Sequence, residues 1–131
     1  MIALDTNVLV RFLVVDDKAQ SAKAARLVER AVARNETLFV SDIVLCETVW
    51  VLLSAYQVSR AEVGQVLGEL LRATHLGFRD ADELLRALEA FGGGKGDFAD
   101  CLIQEHARSA GCAEVATFDR ALLREKGFTS P

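Results

Sequence analysis

The chain opens with Met1-Ile2-Ala3-Leu4-Asp5-Thr6-Asn7, an apolar run that ends in an acid followed by two small polar residues. Ile2–Leu4 is typical of a short buried strand, and the apolar residues of Asn7–Val14 predict a helix. Asp5 or Thr6 can cap that helix, because either side chain can accept a hydrogen bond from a first-turn amide. The stretch therefore predicts a strand that leads directly into a helix, as in α/β proteins.

The same alternation continues to the end of the chain, with no internal repeat and no linker. Further strands are predicted at Leu38–Val40, His75–Phe78, Glu114–Thr117 and Gly127–Ser130. Helices are predicted at Lys18–Arg34, Asp42–Ala55, after the capping box Ser59–Glu62, from Asp80, at Phe98–Ala110 and at Arg120–Lys126. Residues 1–131 are therefore expected to form one α/β domain, with a mainly parallel sheet of about four or five strands flanked by helices.

Composition limits the classes of function that the chain can serve. Its net charge is −4, so any contact with nucleic acid phosphates must be local or mediated by a metal ion. No apolar run approaches the ~20 residues needed to span a bilayer, and the first residues do not resemble a signal peptide. The three cysteines are never spaced C-x-x-C, which favours reduced thiols and a cytoplasmic location.

Acidic residues stand where predicted elements change or alone in an apolar run. They are Asp5, Glu47, Asp97, Asp100 and Asp119. Ligands of parallel α/β sheets bind outside the carboxyl ends of the strands, where Asp5 and Asp119 are expected. Hard divalent ions prefer oxygen ligands, so convergence of these acids predicts a Mg²⁺ or Mn²⁺ site. Helix capping alone also explains Asp5 and Asp119, and Asp97 with Asp100 can cap the helix that follows them.

Capping cannot explain Glu47, the only ionisable residue between Ile43 and Leu53. The surrounding helix is apolar nearly all round and is predicted to be buried, where an unpaired carboxylate costs several kcal/mol. Glu47 therefore needs a cation, a basic partner or a strip of solvent. Carboxylates about 4 Å apart repel by ~4 kcal/mol per pair at an effective dielectric of 20, so a cluster of four favours a bound divalent ion.

The remaining candidates are neighbours of these acids. They are Thr6, Asn7 and Thr117 as supporting polar residues, and Arg11, Lys95 and Arg120 as phosphate contacts or ordinary solvated charges. The glycine run Gly92–Gly96 does not match a phosphate-binding loop, because Lys95 is followed by glycine and aspartate. That run predicts a mobile loop beside the site.

In this order and spacing, the segments resemble those of the PIN-domain ribonucleases, specifically the VapC toxins of toxin–antitoxin pairs. The segments are Leu4–Asn7, Ser41–Asp42 with Glu47, Asp97–Ile103 and Thr117–Asp119. The resemblance covers essentially the whole chain. It implies a parallel sheet between helices, and cleavage of RNA with Mg²⁺ or Mn²⁺.

The resemblance also implies a role for each acid. Asp5 matches the first acid of the family, Glu47 the second and Asp100 the third. Asp119 matches a fourth acid that varies, and Asp97 matches an acid found in only part of the family. The ion would polarise the scissile phosphate and lower the pKa of a bound water, so no side-chain nucleophile is required.

The partners implied by the resemblance are an RNA substrate, an antitoxin with a basic segment, and a second copy of the chain in a homodimer. Trp50, Leu53 and Tyr56 are candidates for the dimer surface. Two alternatives remain open: a catalytically silent binding module of the same fold, and an aspartate-dependent phosphatase-like enzyme. The latter requires D-x-D after the first strand, whereas position 7 is Asn.

Overall fold

The computed structural model describes residues 1–131 as two units, Met1–Arg79 and Asp80–Pro131, and each carries part of the predicted alternation. The first unit contains strands β1 (Ile2–Ala3), β2 (Leu38–Phe39) and β3 (Leu76–Gly77), and helices α1 (Thr6–Leu13), α2 (Lys18–Ala33), α3 (Asp42–Ser54) and α4 (Arg60–Arg72). The second contains helices α5 (Ala81–Gly93) and α6 (Phe98–Ser109), strands β4 (Val115–Ala116) and β5 (Phe128–Thr129), and a 3₁₀ turn (Leu122–Arg124).

All strand pairs are parallel, which confirms the predicted sheet type. The first unit holds a three-stranded sheet in the order β1-β2-β3, with Ile2 opposite Leu38 and Leu38 opposite Leu76. In the second unit β4 pairs with β5, and Val115 lies opposite Phe128. Helices make each crossover of the first sheet, as parallel strands require.

Side chains that accept a backbone hydrogen bond set the starts of the six α-helices. These N-caps are Asp5, Asp17, Ser41 and Ser59 in the first unit, and Asp80 and Asp97 in the second. Such caps satisfy amides that have no partner inside the helix, and each is worth about 1 kcal/mol. The elements that carry the candidate acids therefore begin at well-defined residues.

Each unit has an apolar core that fixes the helices of interest. In the first, the buried side of α3 contributes Val44, Leu45, Thr48, Val49 and Leu52. In the second, Phe91 of α5 packs edge-to-face on Phe98 of α6, with ring centroids 6.2 Å apart and planes at 80°. Both phenylalanines are fully buried. This contact locates the first turn of α6, where Asp97 and Asp100 lie.

Two expectations were wrong in detail. Ile2 of β1 is 53% exposed rather than buried; β1 is one of the two edge strands of its sheet and pairs only with β2. The helix predicted at Arg120–Lys126 is only a 3₁₀ turn, which is tightened by Asp119. No helix of the structure is long and apolar enough to cross a membrane.

Candidate active site

Asp5 and Glu47, which lie far apart in the sequence, are linked in the first unit through Thr6. The Oδ1 atom of Asp5 accepts a hydrogen bond of 2.8 Å from the Thr6 amide. The Thr6 hydroxyl donates to Glu47 Oε1 across 3.0 Å, which joins the start of α1 to the middle of α3. Both carboxylates are exposed to solvent. The first unit therefore places two of the predicted acids around one threonine.

Glu47 is not buried, so the argument that burial strains it is wrong. One face of α3 packs in the core, while Ile43, Glu47 and Trp50 face solvent. These residues are spaced four and three apart and therefore share one side of the helix. Because that solvent-facing side includes apolar residues, the sequence of α3 did not show that one side of the helix is exposed. Glu47 is instead an accessible carboxylate whose orientation is set by Thr6.

In the second unit, Asp97 and Asp100 form a reciprocal capping box at the start of α6. The Asp100 amide donates to Asp97 Oδ1 at 2.8 Å, and the Asp97 amide donates to Asp100 Oδ2 at 3.1 Å. The preceding Gly96 is buried. A Cβ atom at Gly96 would lie 2.9 Å from Leu122 and 3.3 Å from the Asp100 side chain, so a larger residue there would force one of these side chains to shift.

Asp119 follows β4 and is held by its own turn. Its amide donates to the Thr117 hydroxyl at 3.1 Å. Its Oδ1 accepts hydrogen bonds from the amides of Ala121 at 2.8 Å and Leu122 at 3.3 Å. The turn fixes the backbone on both sides of Asp119, and the Thr117 hydroxyl bonds the Asp119 amide rather than its carboxylate.

Asp100 lies close enough to Asp97 and Asp119 for their charges to affect its titration. Partial burial raises the pKa of Asp100 above its ordinary value of 3.8, and the negative charges of Asp97 and Asp119 add to this rise. The hydrogen bond from the Asp97 amide acts in the opposite direction. A nearby cation would favour the ionised form of Asp100. The second unit therefore concentrates negative charge where a cation would relieve it.

Asp5 and Asp97 cap α1 and α6, as the capping alternative predicted, whereas Asp119 is not the N-cap of the 3₁₀ turn and instead tightens the turn before it. A capping carboxylate has a second oxygen and further lone pairs, so capping does not exclude binding a cation. Asn7, the other polar neighbour of Asp5, is exposed in the first turn of α1.

Two neighbours of the site differ from expectation. Arg11 was a candidate phosphate contact, but its guanidinium hydrogen-bonds Asp16, Gln20 and the Tyr56 hydroxyl. The glycine run is also not a free loop. Gly92 and Gly93 belong to the last turn of α5, and the Lys95 amide donates to Glu125 Oε1 at 2.9 Å. The roles of Tyr56 and Glu125 carried no signal in the sequence, because both depend on contacts between distant segments.

Comparison with known proteins places the five candidate carboxylates within one family match. A family model described as PIN domain matches residues 2–128, a range that contains all five carboxylates. The chain is also similar to a protein of Aquifex aeolicus (strain VF5) named VapC ribonuclease, with 28% identity over 126 residues. The aligned region covers 95% of this chain and 91% of the relative.

Proposed function

We propose that this protein is a metal-dependent endoribonuclease, because the chain belongs to the PIN domain family and a similar protein is named a ribonuclease. The observation that carries the proposal is the hydrogen bond between Thr6 and Glu47. It joins Thr6, the neighbour of Asp5, to Glu47, which lies 41 positions further along the chain. Through its amide and its hydroxyl, Thr6 thus bonds the exposed carboxylates of both Asp5 and Glu47, which supports a shared site for these two acids.

The donor chemistry fits a Mg²⁺ or Mn²⁺ ion, since both ions prefer carboxylate oxygens. We assign the ligands to Asp5, Glu47, Asp100 and Asp119, with Asp97 as a further candidate. The raised pKa of Asp100 supports this assignment, because a bound cation offsets the repulsion that causes part of the rise. When bound, such an ion would stabilise the charge that develops on the phosphate and would lower the pKa of water enough for it to act as a nucleophile at neutral pH.

The residues of the chain then have distinct tasks. Thr6 holds Oε1 of Glu47, which leaves Oε2 as the atom that takes a proton from the attacking water. Thr117 and the turn after Asp119 hold that carboxylate in place. Asn7 is a polar residue at the site edge that can contact substrate. No serine, cysteine or histidine nucleophile is needed.

The biological context that we propose is a cytoplasmic toxin of a type II toxin–antitoxin pair, formed by residues 1–131 acting as one domain. Its antitoxin would present a basic segment to the carboxylates, because opposite charges direct such pairing. The net charge of −4 suits a basic partner.

A homodimer is the second proposed partnership. Ile43 and Trp50 are 72% and 68% exposed on one side of α3, and such apolar residues are enriched at interfaces. Leu53 is half-buried beside them. Tyr56 is a weaker candidate, because its hydroxyl is held by Asp16 at 2.6 Å and by Arg11 at 3.1 Å.

The proposal predicts that RNA cleavage stops in excess EDTA and returns when Mg²⁺ or Mn²⁺ is added back. The measurement is gel or fluorescence detection of a labelled RNA, with Asp5→Asn protein purified in the same way as the control for contaminating nucleases. Activity that persists in EDTA would contradict the metal-dependent mechanism. Metal-stabilised protein that binds RNA without cleaving it would instead identify a silent binding module.

A further prediction separates the two acids of the capping box. Asp97→Asn is expected to lose less than about tenfold in cleavage and almost no stability, because Asn caps helices as well as Asp does. Asp97→Ala should lose about 1 kcal/mol of unfolding free energy through the missing cap. Thermal melting and cleavage rates of the two variants test this. A loss in Asp97→Asn as large as in Asp100→Asn would make Asp97 a ligand.

A further inference from the structure

Phe118 is the most exposed of the large apolar side chains, with 88% of its surface open to solvent. The exposed phenyl ring gives up the favourable free energy of burial and leaves a flat apolar face open to a partner. Its neighbours in the chain are Thr117 and Asp119, which belong to the proposed active site. The ring therefore stands one residue from a proposed metal ligand.

The exposure of Phe118 does not result from a loose backbone. On one side, the Thr117 amide continues the strand pairing by donating to the Thr129 carbonyl at 2.9 Å. On the other side, Asp119 is tied to Thr117 and to the amide of Leu122, which is itself buried. Both flanks are anchored, so the fold presents this ring to solvent.

The surroundings of the ring favour a nucleobase over a protein partner. Thr117, Asp119 and the exposed Arg120 make the adjoining chain polar, whereas the core of a protein interface is a continuous apolar patch. A single flat ring suits one base, and an adjacent guanidinium suits a phosphate. Stacking also does not depend on net charge, which is −4 here and gives no general attraction for RNA.

We propose that Phe118 stacks on one base of a single-stranded RNA and thereby holds the neighbouring phosphodiester beside Asp119 and Asp100. This inference rests on the proposed ribonuclease function and specifies its substrate. Bases paired within a duplex are stacked on each other and cannot accept the ring, so the substrate is single-stranded at this position. Every base has a flat face, so Phe118 contributes affinity with little sequence preference.

The test compares wild type with Phe118 variants in the cleavage of a short, labelled single-stranded RNA of mixed sequence, measured in the presence of Mg²⁺. Phe118→Ala and Phe118→Leu are expected to raise KM by about tenfold or more and to change kcat by less than about threefold. Phe118→Tyr and Phe118→Trp, which retain a flat ring, should remain close to wild type. Val32→Ala, at a 56% exposed position of α2, is the control for loss of exposed apolar surface. Thermal melting confirms that each variant is folded.

A second arm identifies the contact directly with RNAs that lack one base at successive positions. At one position, removing the base should raise the KM of the wild-type protein by the same factor as Phe118→Ala raises it on intact RNA. Removing that base should not raise the KM of Phe118→Ala any further, as expected for a coupled pair. Equal KM values for wild type and Phe118→Ala would overturn the inference. A wild-type KM in Phe118→Leu would also overturn it, because an aliphatic side chain has no flat ring on which a base can stack. A wild-type protein that neither binds nor cleaves the RNA would refute the proposed function as well.

Discussion

Asp100→Asn is expected to lower the rate of RNA cleavage by about 100-fold to 1,000-fold. A divalent ion supplies several kcal/mol of transition-state stabilisation, and each 1.36 kcal/mol corresponds to a factor of ten in rate. Asp100→Asn removes the charged ligand but keeps an oxygen that can accept the hydrogen bond from the Asp97 amide. The loss would therefore reflect the charge rather than the cap. Asp5→Asn should show a loss of similar size for the same reason.

The stability of the metal-free protein provides the control for this variant. The pKa of Asp100 is raised by burial and by its acidic neighbours, so the folded state holds the Asp100 proton more tightly than the unfolded state does. Stability from this group is therefore present below its ordinary value of 3.8 and is lost as pH rises through the raised pKa. Asp100→Asn has no such carboxyl group, so its stability does not fall for this reason as the pH rises.

At neutral pH and without metal, Asp100→Asn should melt at the same temperature as wild type or slightly above it. The gain should stay below about 1 kcal/mol, because solvent screens this partly exposed group. Melting curves at acidic and neutral pH test the sign of the difference. A wild-type cleavage rate in Asp100→Asn, or a large loss of stability at neutral pH, would contradict the assigned role.

The sequence predicted the elements well because local chemistry determines where they begin. Aspartate or serine before an apolar periodic segment marked the starts of α1, α3 and α5, and those side chains accept the expected amide hydrogen bonds. Strand and helix boundaries differ by one or two residues from prediction, which is the usual fraying at element ends. The parallel pairing followed from helices between successive strands.

The sequence predicted less well which sides of the elements face solvent. In α3 apolar residues occupy both faces, so the pattern could not show that Glu47 is exposed. Phe118 follows the predicted strand Glu114–Thr117 as one more apolar residue, and its neighbours in the sequence do not reveal that its ring is 88% exposed. Such details depend on contacts between distant segments, and no local spacing encodes them.

For the candidate site too, the sequence indicated the residues but not the contacts between them. The sequence was enough to select the candidate acids, because each lies at an element boundary or alone in an apolar run. It was not enough to predict the bond between Thr6 and Glu47, because that bond joins the start of one helix to the middle of another. Sequence order also suggested Arg11 as a phosphate contact, whereas the folded chain pairs its guanidinium with Asp16 at 3.1 Å.

Glu47→Gln tests the contact that carries the proposed function. Cleavage is expected to fall by about 100-fold or more, because a neutral amide is a poorer cation ligand and cannot accept a proton from water. Stability without metal should not change measurably, since Glu47 is exposed and the Gln oxygen can still accept the Thr6 hydrogen bond. Added Mg²⁺ should raise the melting temperature of wild type more than that of the variant, because the ion stabilises the form that binds it.

Variants of Thr6 then determine whether the orientation of Glu47 matters. Thr6→Ser keeps the hydroxyl and should retain most activity, whereas the isosteric Thr6→Val removes the donor to Glu47 Oε1. Losing a group that orients a ligand typically costs about 10-fold to 100-fold in activity or metal affinity. Because Thr6→Val leaves the carboxylate charge in place, it should lose less than Glu47→Gln does. If Glu47→Gln cleaves RNA at the wild-type rate, Glu47 only fastens α1 to α3. If Glu47→Gln is inactive while Thr6→Val is fully active, Glu47 acts without the help of the threonine.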